Sequence, residues 1–122
     1  MKRADRSERW RRPARILFWC ATLIVLVLTQ TPSSMMPKFI FSIWDKAQHA
    51  LAFGALALLG TASYPRQRIG VVIGLLAFGG AIEIAQWLTG WRQGDWLDLL
   101  ADGVGIAIGY AVVRLWLGPT SA

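Results

Sequence analysis

Apolar residues gather into four blocks along this chain, roughly Ala14–Gln30, Trp44–Ser63, Ile69–Leu88 and Trp96–Leu117. Each is close to the roughly 20 residues that a helix needs to cross a bilayer. No segment sustains the two-residue alternation of a strand. The pattern predicts an all-α fold: a small polytopic membrane protein with four transmembrane helices. Polar positions interrupt the blocks at a few places only. Asp45, His49, Glu83, Asp95, Asp98 and Asp102 lie in or beside them, and they include the only histidine and five of the seven acidic residues. An ionisable side chain within a membrane is costly, so by default each marks a functional position.

Length allows one domain. It divides into a basic tail (1–13), a four-helix transmembrane domain (14–118) and a short C-terminal tail (119–122). The net charge of +6 is concentrated in the first tail, where Lys2, Arg3, Arg6, Arg9, Arg11, Arg12 and Arg15 precede or open the first block. That placement suits an anchor at an anionic leaflet. No nucleic-acid-reading motif accompanies it, so no nucleic-acid partner is expected. The first block lacks an A-x-A-like cleavage site before Ser34, which predicts an uncleaved anchor. Cys20 is the single cysteine, which excludes an internal disulfide and a cysteine-rich metal site.

Charge also sets orientation. The tail, Arg66, Arg68 and Arg114 fall on one side, and Lys38, Lys46 and Arg92 on the other. The bias predicts both termini in the cytoplasm, with the loops Thr31–Ile43 and Thr89–Asp95 outside. His49 and Glu83 then lie about 7 Å below the outer surface and Asp102 about 10 Å, at 1.5 Å per helical residue. Helical spacing puts Asp45 with His49, Glu83 with Gln86, and Asp98 with Asp102 on common faces. The simplest packing turns those faces towards each other. Gly105-x-x-x-Gly109, Gly70-x-x-x-Gly74, Gly79-Gly80 and the alanines of the second block read as helix-packing positions. The first block has few small residues and is expected at the periphery. Trp44, Trp87, Trp91 and Trp96 fall at the outer interface, as an aromatic belt does. The apolar loop Thr31–Ile43 reads either as a flap on the outer surface or as a passive connector.

The set Asp45-Lys46-x-x-His49 with Phe53, Glu83-x-x-Gln86, Arg92, and Asp95-Trp96-Leu97-Asp98-Leu99-Leu100-Ala101-Asp102-Gly103-x-Gly105 with Gly109 resembles the VanZ-like membrane protein family. The resemblance covers about residues 44–109. Each motif is weak alone; their order and placement on successive blocks make the set specific. Members of that family often carry Asn where this chain has Asp102, a substitution that adds a possible negative charge. The family is named for a protein associated with low-level teicoplanin resistance. An integral protein of the bacterial inner membrane, with its site facing outward near envelope lipids or wall precursors, is consistent with the resemblance and with the charge-based orientation. The resemblance implies neither a reaction nor resistance for this chain.

Candidate chemistry follows from residue type. His49, Glu83, Asp98 and Asp102 are candidate acid–base groups, with Asp45 orienting the His49 ring. Lys46, Gln86 and Arg92 are candidate ligand-binding residues, the two cations suiting a phosphate-bearing headgroup. Structural roles stand beside these: Ser42-x-x-Asp45 as a capping box, Asp95 and Asp98 as a favourable helix start, Glu83 in an ion pair that fixes packing. His49, Glu83, Asp98 and Asp102 also form a nitrogen–oxygen set able to hold a divalent metal, although no H-E-x-x-H spacing is present. No serine lies in the matched set to complete a Ser–His–Asp triad. Two functions remain: binding or acting on a polar envelope-lipid headgroup or wall precursor, or a non-enzymatic bundle that partners another membrane protein or relays protons or ions in a homo-oligomer.

Overall fold

Proline and glycine punctuate the chain where its helices stop. The computed structural model describes residues 2–30, 38–90 and 96–119, with side chains for 8–27, 46–90 and 96–119. It contains α1 (Lys2–Gln30), α2 (Lys38–Ser63), α3 (Arg68–Thr89) and α4 (Trp96–Leu117), and no strand among the described residues. Pro65 disfavours the helical conformation at Tyr64, so α2 stops at Ser63. A tight turn follows, closed by Tyr64 N–H to the Gly60 carbonyl at 2.9 Å and Gln67 N–H to the Tyr64 carbonyl at 3.0 Å. α3 ends at Gly90, whose φ of 66° is the left-handed cap that glycine adopts without a Cβ penalty.

α1 and α2 are antiparallel, with Arg15 and Trp19 reaching the Ser63–Tyr64 end of α2. α3 runs back along the bundle. α2 and α4 run parallel, since Ala50 meets Gly105 and Gly54 meets Gly109. This is the tightest pair. A Cβ on Gly105 would collide with the Ala50 carbonyl oxygen, and one on Gly109 with that of Gly54. The small residues there let two backbones touch, as the sequence predicts. Among the described residues α1 packs on α2 and α3 and not on α4, a peripheral place as expected. Its Phe18 still reaches the core formed by Phe53, Leu56, Ala57, Leu75, Ile82 and Ile106.

Polarity is inverted relative to a water-soluble bundle. His49, Gln86, Asp98 and Asp102 are buried, while Leu51, Trp87, Trp96, Leu115 and Trp116 are each more than 70% exposed. An apolar exterior over a polar interior is what a hydrocarbon solvent selects. α3 and α4 are long and apolar enough to cross a membrane.

Three expectations need correction. α2 starts at Lys38, so the stretch expected as outer loop is helical from there onward. No proline occurs between Pro37 and Pro65 to prevent it. Asp45 therefore lies about two turns inside α2 and cannot cap it with Ser42. Gly70 and Gly74 have nothing within 4 Å of a built Cβ. They line an apolar groove of about 620 Å³, bounded by Phe18, Trp19 and Tyr64, and pack no helix among the described residues. α1 runs from Lys2, with Pro13 inside it, so the basic stretch is itself helical.

Arg68 does more than set topology. It is buried at the start of α3, where Nε donates to the Thr61 carbonyl at 3.4 Å and Nη1 to the Gly118 carbonyl at 2.6 Å. It thus ties the C-terminal ends of α2 and α4 together, a favourable place for a cation. Arg15 reinforces the same end, donating to the Ser63 carbonyl at 2.9 Å and lying 4.8 Å above the Tyr64 ring.

Candidate functional site

At the opposite end of the α2–α4 pair, three helices bring their ionisable residues to one place. α2 supplies Lys46 and His49, less than one turn apart. α4 supplies Asp98 and Asp102 at the i,i+4 spacing that keeps both on one face. α3 supplies Glu83 and Gln86. Glycines make the convergence possible: Gly105, one turn beyond Asp102, lets α4 approach α2, and Gly79 leaves room for the Asp102 carboxylate against α3.

His49 is the centre. It is 3% exposed, and its Nδ1–H donates to Asp102 Oδ1 at 2.7 Å. A short contact to a carboxylate fixes the ring orientation and the tautomer, leaving Nε2 as the reactive nitrogen. Nε2 lies 3.8 Å from Asp98 Oδ2. The other oxygen of that carboxylate, Oδ1, lies 3.5 Å from the Lys46 ammonium. Asp98 is 1% and Asp102 0% exposed, whereas the Lys46 side chain is 28% exposed and reaches the rim. The Phe53 ring is parallel to that of His49, with centroids 6.4 Å apart, forming an apolar floor below it.

Glu83, half-buried, closes the third side. Donor atoms of His49, Glu83 and Asp98 all lie within 4.8 Å of one another. Gln86 is buried one turn along α3. The structure thus gathers His49, Glu83, Asp98, Asp102 and Lys46, with Gln86 adjoining on the same helix. Asp45 belongs to α2, but its side chain lies outside the described residues, as do Arg92 and Asp95 altogether. The carboxylate that orients His49 through Nδ1 is Asp102. Asp102 consequently stands behind the ring and not among the three grouped donors, unlike the four-residue set that composition allowed.

Sequence reasoning missed two contributors. The Gly79-Gly80 pair predicts only general packing, yet Gly79 has Asp102 Oδ2 as its specific neighbour. Phe53 was noted only as part of a motif, although the i,i+4 spacing from His49 already placed both on one face.

Fold and site together define an all-α membrane protein that carries an ionisable cluster in its core. The chain belongs to the VanZ/LLP1 family, whose family model matches residues 14–117. No curated protein and no solved structure matches the chain.

Proposed function

We propose that this protein crosses the bacterial inner membrane four times, with both termini cytoplasmic, and presents its polar cluster to the outer leaflet. There it binds or acts on the polar headgroup of an envelope lipid or wall precursor. The parallel course of α2 and α4, with α3 reversed, supports the four-span topology. The observation that carries the functional reading is the buried line Lys46–Asp98–His49–Asp102. A cation stands at its exposed end, and an imidazole oriented by Asp102 lies deeper.

An ammonium at the rim suits an anionic group such as phosphate. An imidazole held by one carboxylate and facing two others can accept or deliver a proton. Arg92, which lies outside the described residues, is the second cation that this reading calls on. A structural ion pair alone needs neither a histidine nor three carboxylates. A second reading, a bundle that partners another membrane helix or a second copy, draws on Gly70 and Gly74, whose small-residue stripe has open space beside it.

Native mass spectrometry on protein extracted gently from its own membrane separates the readings. A lipid retained by wild type and lost in Glu83→Gln supports the headgroup site. A stable oligomer with no lipid, unchanged by Glu83→Gln, rejects it in favour of the partner reading.

A further inference from the structure

We propose that His49 Nε2, a Glu83 carboxylate oxygen and Asp98 Oδ2 bind a divalent cation of the zinc or manganese type, with Asp102 as the positioning carboxylate behind His49. This deepens the proposed site and rests on the same residues, but it does not depend on which headgroup is bound.

Three observations converge. The first is geometry. One nitrogen and two carboxylate donors from three helices lie within 4.8 Å of one another. Donors around a tetrahedral zinc stand about 3.3 Å apart, given metal–ligand bonds of about 2.0–2.1 Å. His49 Nε2 and Asp98 Oδ2, at 3.8 Å, are close to that already.

The second is the support of the ligands. A metal-binding histidine characteristically donates its other ring N–H to a carboxylate, which fixes the tautomer and raises the basicity of the ligating nitrogen. Asp102 does this at 2.7 Å. Asp98 is likewise divided between two tasks: Oδ2 faces the imidazole, while Oδ1 faces Lys46. It is therefore set for ligation through one oxygen, the other remaining with the ammonium.

The third is donor type. A set of one imidazole and two carboxylates favours zinc or manganese over calcium, which prefers six to eight oxygens. Three protein donors leave a coordination position open, and a phosphate or water oxygen fits it.

The test uses the full chain in mild detergent, with any affinity tag removed and resident metal stripped by a chelator. Zn2+, Mn2+ and Co2+ are titrated separately, with uptake followed by equilibrium dialysis and, for Co2+, by its visible absorption bands. Saturable uptake of about one ion per chain is expected, with affinity falling at least tenfold in His49→Gln and in Glu83→Gln. Asp102→Asn keeps the stoichiometry and the Co2+ band pattern but weakens binding about 10- to 100-fold, as loss of an orienting carboxylate does. Wild-type protein that takes up none of the three ions overturns the inference without reference to any variant. Uptake unaffected by both His49→Gln and Glu83→Gln overturns it too. Lipid retention by protein that takes up none of the three ions would leave the headgroup reading standing while the metal site falls. Metal binding without lipid retention would do the reverse.

Discussion

Gly79 on α3 faces Asp102 on α4: a Cβ at Gly79 would stand 2.8 Å from Asp102 Oδ2. The carboxylate cannot retreat freely, because its other oxygen holds His49 Nδ1. Gly79→Ala should therefore disturb the site from outside it. The expected cost is about 1–3 kcal/mol, the usual range for overpacking. Gly74→Ala on the same helix meets nothing within 4 Å and should be neutral or stabilising by up to about 1 kcal/mol, since alanine is the better helix former. Thermal unfolding of both variants in one detergent checks the contrast, and equal effects would contradict this placement of α3.

A parallel comparison tests the α2–α4 contact. Gly105→Ala must push α4 away from the Ala50 carbonyl and the Gly54 backbone, whereas Gly103→Ala meets only Leu76 Cδ2 at 4.0 Å. Displacing backbone from backbone leaves no cheap relaxation. Gly105→Ala should lower the unfolding temperature clearly and reduce ligand retention at His49, with Gly103→Ala close to wild type. A folded Gly105→Ala protein of unchanged stability would refute the close approach.

These contrasts show what was legible in sequence and what was not. The ionisable residues could be gathered from sequence because i,i+4 spacing fixes a helix face, and because hydrocarbon penalises any face that turns them outward. Gly105 and Gly109 were read correctly as packing residues, but Gly70 and Gly74 carry the same spacing and line an open groove. A small-residue stripe permits a close approach without naming the helix that makes it. The start of α2 at Lys38 was hidden because the chain is apolar on both sides of that point, so hydropathy shows no edge. Asp45 was the nearer candidate in sequence to orient His49. Asp102 lies 53 positions away, and only tertiary packing brings it to Nδ1.

Asp102 also allows the charge and the hydrogen bond to be separated. Asparagine, common at this place in the family that the motifs resemble, offers a carbonyl oxygen to His49 Nδ1 without the negative charge. Asp102→Asn should insert and fold, with stability within about 1–2 kcal/mol of wild type, the scale of an interhelical hydrogen bond in a membrane. Asp102→Leu removes the acceptor and leaves a buried N–H stranded, at a further cost of about 1–3 kcal/mol. Circular dichroism with thermal unfolding measures the order wild type, Asn, Leu. A leucine variant as stable as the asparagine one would show that the His49–Asp102 contact does not hold α2 to α4.

The far end of the bundle depends on Arg68. Its guanidinium bonds the Thr61 and Gly118 carbonyls through Nε and Nη1, two nitrogens of one planar group. Lysine, with a single ammonium, cannot reproduce that fork. Arg68→Lys should therefore behave more like Arg68→Met than like wild type, each losing about 1–3 kcal/mol, the range for hydrogen bonds from a charged donor. The loss should be local. Protease cleavage after α4 should accelerate, because Gly118 is no longer held, while ligand or metal binding at His49 stays within about twofold of wild type, since distant sites behave independently. Cleavage rates that match wild type in Arg68→Met would remove the arginine as the tie between α2 and α4. A concurrent loss of binding at His49 would show instead that the two ends of the bundle are coupled.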